Sequence, residues 1–418
     1  MTALPRTALV IGGGFVGMAC AWQLARGGFR TRVVDPGDPR SAASFGNAGH
    51  LATEQVEPLA SYATLRSLPR RLYSCGGPVG LPLRDVAAWL PFGFRLLAAA
   101  APKRFERGKL ALRALIAEAL PAWRRLADET GSRHLLREDG HFVVWESARS
   151  GERGRKAWLA ADIGDATVAD ATPDEIAALR ARFSGRPAAA LRFRNTGQIV
   201  EIEAMRGAIA HAFRDAGGTH TAGSAAAVHV DGGVASVVLQ GGATIAADAV
   251  VVAAGVRSAA LLSRFEKSIP LIAERGYHVE TAVSEERWPH DLPPVAFEDR
   301  SVIVTRFRST LRLAGFTEFA HPESPADSRK WRRLERHAEE LGMPANGERS
   351  RWFGARPTLA DYLPAIGRAA AARNLYYAFG HQHLGVTLSA VTGELVAAMA
   401  TASRAGVDTA PFDLRRFQ

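Results

Sequence analysis

Apolar and polar positions along this chain follow two periods, one of strands and one of helices. Ala8-Leu9-Val10-Ile11 is a short continuous apolar run. After a glycine turn, Met18-Ala19-Cys20-Ala21-Trp22-Gln23-Leu24 reads as a helix and Thr31-Arg32-Val33-Val34 as a second strand. Pro36-Gly37-Asp38-Pro39 closes this opening unit with strong turn residues. Residues 60–125 read as mostly helical, punctuated by Pro69, Pro82, Pro91 and Pro102. His141-Phe142-Val143-Val144-Trp145 predicts a strand, and helical patterns follow around 151–162 and 173–183. The second of these opens on Thr172-Pro173-Asp174-Glu175, a helix-start signal.

Short strands are predicted over 189–194 and 198–200, then an amphipathic helix over 202–215 that stops at Gly217-Gly218. Strands over 226–230 and 234–239 flank Asp231-Gly232-Gly233, a hairpin signal. The run 244–254 is strongly apolar around Asp248, and 270–320 alternates as several strands. A charged helix over 326–342, a strand over 374–379 and a final helix over 384–400 complete the chain. Strand–helix units thus surround a β-rich stretch, without internal repeats or low-complexity linkers.

A chain of 418 residues exceeds what one hydrophobic core usually fills. Two interleaved domains are therefore expected, one from 1–125, 201–261 and 351–418, the other from 126–200 and 262–350. Cys20 and Cys75 are too few for a disulfide framework, which points to a reducing, cytoplasmic setting. The N-terminal apolar stretch lacks the long core and cleavage site of a signal peptide. The best membrane-span candidate, 87–101, is short and interrupted by Pro91 and Arg95. The net charge of +10 is nearly all arginine, and no nucleic-acid motif accompanies it, so no nucleic-acid partner is expected. The basic and apolar residues between 66 and 109 fit two readings. One is a helical bundle packed on the core; the other is a surface resting peripherally on the inner membrane.

Three segments carry the chemistry. Gly12, Gly14 and Gly17 stand at a strand-to-helix turn as G-x-G-x-x-G. The first glycine makes the turn, the second admits a pyrophosphate, and the third lets helix and strand pack. Asp35 ends the second strand, where an acid hydrogen-bonds a ribose. The apolar strand from Asp248 runs into Ala253-Ala254-Gly255, a turn able to pass close to a dinucleotide. Gly380-His381-Gln382-His383-Leu384-Gly385-Val386-Thr387 is expected to open the last helix, whose positive end suits an anionic ring edge or phosphate. Each of the last two also reads as an ordinary strand or loop.

In this order, the three segments resemble the FAD-dependent amine and D-amino acid oxidoreductases of the D-amino acid oxidase superfamily. The segments 44–50 (Ser-Phe-Gly-Asn-Ala-Gly-His), 312–318 (Arg-Leu-Ala-Gly-Phe-Thr-Glu) and 354–367, which opens Gly-Ala-Arg-Pro, are similar to those of bacterial D-amino acid dehydrogenases. Gly-Tyr-His at 276–278 and the 380–385 stretch look most similar to D-hydroxyproline dehydrogenases. The resemblance implies an α/β fold: a discontinuous Rossmann-like FAD-binding domain with an inserted β-rich α+β substrate domain. It implies FAD, with Gly12, Gly14 and Gly17 at the pyrophosphate, Asp35 at the ribose and the Val228 backbone at the adenine edge. Ser44, Asn47, Ala48 and Gly49 would line the flavin. Gly380, His383, Leu384, Gly385, Val386 and Thr387 would surround its pyrimidine end. His50 replaces a glutamine common in relatives, and Phe316 a small residue.

Arg356 is the first choice for a substrate carboxylate, because a guanidinium binds one through two parallel hydrogen bonds. It also fits a structural salt bridge. Tyr277 could bond a carboxylate, close the pocket or simply pack, and His50 could border the flavin. No metal-ligand spacing and no G-x-S-x-G nucleophile motif are present, so no metal is expected. The reaction implied is oxidation of a D-amino or cyclic D-imino acid at Cα, cis-4-hydroxy-D-proline first among them, with electrons passing to a quinone or other carrier. Broad D-amino acid dehydrogenation and sarcosine- or glycine-type amine oxidation are the enzyme alternatives. A flavoprotein acting on RNA, or one whose FAD is structural, is the reading from another class.

Overall fold

The protein is described by a computed structural model over residues 6–266, 268–344 and 348–418. Its first sheet grows from the opening unit: β1 (Thr7–Ile11), α1 (Phe15–Arg26) and β2 (Arg30–Asp35). β1 is buried at four of its five positions, as a strand covered on both faces must be. It lies between β2 and the strand Ala249–Val252, parallel to both, with Leu9 level with Arg32 on one side and Val250 on the other. The sheet order is Thr219–Ala222, β2, β1, Ala249–Val252, Leu375–Phe379 and Ala365–Arg368, parallel except for the last pair. The carboxyl ends of β1 and Ala249–Val252 meet, with the Ala253 N–H donating to Ile11 O at 2.9 Å. Open parallel sheets bind ligands beyond such ends.

The second sheet has nine strands. Its main path is Ser350–Leu359, Leu271–Ala282, Thr310–Ala320, Val302–Arg306, Val295–Phe297, His141–Trp145, Ala189–Arg194 and Thr167–Asp170, with Val79–Gly80 beside Thr310–Ala320. Ser350–Leu359, which the sequence groups with the first domain, pairs along its length with Leu271–Ala282 in this second sheet. A small third sheet joins β3 (His50–Leu51) to Gly197–Ile199, which in turn pairs with Leu136–Arg137. After β3 the chain forms α2 (Tyr62–Arg71), then Val79–Gly80, then α3 (Val86–Ala99) and α4 (Pro102–Ala117).

The α/β class with a β-rich second unit is the one the pattern predicts, and the strand Ala189–Arg194 and helix Ile202–Asp215 keep their predicted bounds. The last helix does not. It begins at Ser389, and residues 380–387 form a loop around a short turn at Gln382–Leu384. Gly380 and Gln382 hold φ of +78° and +50°, left-handed values that an α-helix cannot contain. Among the described residues no helix is long and apolar enough to cross a membrane.

Candidate active site

The glycine turn is built for close approach. Gly12 takes φ +111°, and a Cβ there would lie 2.4 Å from Ala253 O. A Cβ at Gly17 would lie 1.9 Å from Gly12 O, so any side chain would force α1 away from β1. At Gly14 the nearest neighbour of a Cβ is Ser44 Oγ at 3.6 Å, which leaves that side open. No side chain caps the start of α1, so its first N–H groups remain available to a phosphate. Asp35 accepts from the Gly13 N–H at 2.7 Å and the Gly37 N–H at 2.8 Å, one on each oxygen. Each oxygen keeps acceptor capacity for a ribose hydroxyl. Val228 is buried in Ala225–Asp231, the outer strand of a three-stranded sheet, and Gly255 turns the chain at φ +58°. This cradle fits a dinucleotide.

Two distant loops are locked together beside it. In the first, Asn47 Oδ1 accepts from the Gly49 N–H at 2.7 Å, and Arg312 donates to Phe45 O and Asn47 O at 3.2 and 2.5 Å. Ala48 is half-buried between them. In the second, Thr387 Oγ1 accepts from the Ala52 N–H at 3.0 Å, and His383 bonds Gln55 at 2.5 Å. Trp123 holds Val386 O and Thr387 O at 3.0 and 3.1 Å. Leu384 and Val386 are buried, and Gly385 is partly exposed. His381 is a packing residue: it is buried against Thr392 Oγ1, and burial pushes its pKa down to about 3.

Arg356 stands 3.5 Å from Glu274 on the neighbouring strand. Its guanidinium lies across Gly276, where a Cβ would come within 2.2 Å of Nη2. Glu274 is buried, accepts from Thr358 Oγ1 at 2.9 Å and is also bonded by Tyr362. The Arg356 side chain stays 27% exposed while Glu274 is sealed. A guanidinium held at one edge by a buried carboxylate keeps its other N–H groups for an incoming anion. Burial pushes the pKa of His383 down to about 4, and its charged surroundings include Glu274, Arg356, Glu54 and His50. These groups therefore lie within electrostatic reach of His383.

His50 donates from, or accepts at, Nε2 with Glu54 Oε1, 3.1 Å away, and its ring meets that of His141 at 4.4 Å. Burial opposes ionisation of Glu54, yet the two histidines and the His50 hydrogen bond outweigh it and hold the pKa at about 2. Burial and the charge of His50 push His141 down to about 3. Donor atoms of His50, Glu54 and His141 lie within 4.8 Å of one another, a set whose chemistry suits a metal ion. The expectation of no metal rests on spacing along the chain, and spacing does not show this cluster: the fold brings His141 to it.

Tyr277 is not brought to Arg356. Strand alternation puts Glu274 and Gly276 on one face and Arg275 and Tyr277 on the other. The Tyr277 hydroxyl donates to Glu318 at 3.0 Å and accepts from the Asp327 N–H at 3.1 Å, and the ring packs on Trp331 and Phe353. Tyr277 thus belongs to a buried ionic group with Arg275, Glu318 and Lys330. Phe316 also points into that core, edge-on to Tyr73 at 5.8 Å. The residues that sequence reasoning passes over are Glu54, Glu274, Gly276 and Tyr362. Only the four-residue step from His50 to Glu54 leaves a trace in the chain.

The FAD dependent oxidoreductase family, DAO, matches residues 7–399. This chain belongs to that family. The DAO chain is 31% identical to a D-amino-acid oxidase of Bradyrhizobium diazoefficiens over 423 residues, 99% of each protein. It is 29% identical to a D-amino acid dehydrogenase of Methylobacterium sp. over 444 residues, 98% of this chain and 99% of that one. Its fold matches glycine oxidase from Geobacillus kaustophilus at TM-score 0.71 and 22% identity, covering 98% of both chains. L-proline dehydrogenase from P. horikoshii matches at TM-score 0.71 and 16% identity, covering 99% and 98%. The DAO chain is an FAD-dependent oxidoreductase, which agrees with the cofactor and enzyme class expected from its sequence.

Proposed function

We propose that this oxidoreductase oxidises a D-amino or cyclic D-imino acid at Cα, with cis-4-hydroxy-D-proline the first candidate, and passes electrons to a quinone or another carrier. The observation that carries the reading is Arg356, braced by Glu274, laid across Gly276 and within electrostatic reach of His383. FAD, when bound, supplies the hydride acceptor. Gly12, Gly14 and Gly17 would hold its pyrophosphate, Asp35 its ribose, and Val228 and Gly255 the adenosine side. Residues 44–49 and the 380–387 loop would hold the flavin. Arg356 binds the carboxylate and fixes Cα, which removes most of the orientational cost of the reaction. No carboxylate is assigned as base: Glu274 is held by Thr358, Glu54 is bonded to His50 through one oxygen, and the site takes the neutral amine.

The D-amino-acid oxidase and dehydrogenase relatives support a D-substrate and favour a broad D-amino acid specificity as the second reading. Anaerobic flavin bleaching tests both. The expected result is rapid bleaching by cis-4-hydroxy-D-proline and D-proline alone. Bleaching by D-alanine and many other D-compounds would establish the second reading, and bleaching by sarcosine would indicate a glycine-type amine oxidation. If only L-compounds bleach, the substrate assignment is overturned. A repeat in air separates oxidase from dehydrogenase.

A further inference from the structure

α3 turns an apolar face outward. Leu83, in the short turn before it, is 84% exposed and Phe94 is 66% exposed. Val86, Leu90 and Leu97 are exposed with them. Steps of three and four residues put these five side chains on one face, and exposed Ala87, Pro91 and Ala98 widen it to an arc of roughly 140° at 3.6 residues per turn. The opposite face is the packed one. Phe92 is buried against Ile272 and Ala360 and stacks on Phe319 at 5.7 Å, while Trp89 donates to Pro82 O at 2.8 Å. The helix is therefore fixed to the protein by one side and presents the other.

The charge of this stretch of chain is one-sided. Residues 62–110 carry nine Lys and Arg against two acids, a net of +7 within a chain of +10, and one of the two acids, Asp85, is buried. Arg66, Arg70, Arg95, Lys103, Arg104 and Arg107 are all exposed, and Arg104 reaches back to Ala98 O at 3.4 Å, at the end of α3. An apolar stripe flanked by Arg95 on α3 and by Arg104 at its end, within a basic stretch of chain, fits a layer whose interior is hydrocarbon and whose surface is anionic. We infer that α3 seats this protein in the plane of an anionic lipid bilayer, with Leu83, Leu90, Phe94 and Leu97 below the headgroups and the basic residues among them. Charge complementarity decides against a second copy of the chain, which would bring the same excess of positive charge to the interface. The inference does not depend on the substrate.

The test is co-sedimentation of the holoenzyme with phosphatidylcholine vesicles, with and without 30% phosphatidylglycerol. Binding is expected only with the anionic lipid. Phe94→Glu combined with Leu97→Glu is expected to lower it at least roughly tenfold. Lys103→Gln, Arg104→Gln and Arg107→Gln are expected to lower it by roughly fivefold per charge removed. Flavin content and the rate with a soluble dye acceptor should stay at wild-type values in both variants, which shows that they fold. The inference is overturned if anionic vesicles do not bind the holoenzyme. It is equally overturned if the double glutamate variant binds them unchanged, since the basic residues alone would then explain adsorption. Sedimentation velocity that shows a dimer which the same variant dissociates, with no vesicle binding, would assign the face to a second copy instead.

Discussion

Gly276→Ala probes whether Arg356 works where the two strands place it. The added methyl would arrive 2.2 Å from Arg356 Nη2 and 2.6 Å from its Cζ. Non-bonded contact needs about 3.5 Å, so the guanidinium has to withdraw by roughly 1.3 Å. The atoms it meets are the far end of a flexible side chain, and Gly276 lies in a regular strand, so the fold absorbs the change. Substrate alignment does not, because a misplacement of about 1 Å costs on the order of 10²-fold. The expected outcome is a loss of about 100-fold in kcat/KM for anaerobic flavin reduction by the best bleaching substrate. FAD stoichiometry and the thermal midpoint should remain those of the wild type. A variant that reduces its flavin at the wild-type rate would remove Arg356 from carboxylate binding. A variant that loses FAD would show that Gly276 serves the fold instead.

Gly17→Ala places a methyl 1.9 Å from Gly12 O, a backbone atom that no rotamer change can clear, and is expected to yield protein with little flavin absorbance; a fully loaded variant would refute the turn geometry. Glu318→Gln leaves the buried cations Arg275 and Lys330 short of their shared carboxylate and is expected to cost about 3–5 kcal/mol in urea unfolding, while a loss below about 1 kcal/mol would show that the network is not under charge. Acid should weaken the fold early. His141, His278 and His381 are held down at about 3 and His383 at about 4, each chiefly by burial, so they stay neutral in the folded state. The unfolded chain protonates them below about 6.5, so this stability is complete above that pH and falls by up to about 1.4 kcal/mol per pH unit per histidine below it. A urea midpoint that stays flat from about pH 6.5 to 5 would refute that reading.

The parts legible in the chain are those whose contacts are local. β1, the glycine turn, α1 and β2 lie within 35 residues, and their glycine spacing and apolar runs state the structure directly. The same holds for Ile202–Asp215, whose period and terminal glycines mark both ends. The pocket is different. Glu274 meets Arg356 only because two antiparallel strands pair in one register, and a shift of one residue would turn either side chain to the opposite face. Strand alternation likewise turns Tyr277, the residue the sequence singles out, away from the face that Gly276 shares with Glu274. His141 reaches His50 and Glu54 through core packing across some ninety positions. α3 shows the limit most plainly. It is apolar on both sides, and hydrophobic burial has no direction, so the chain alone could not say which side would be covered. Phe92 against Phe319 decided it, and left Phe94 in solvent.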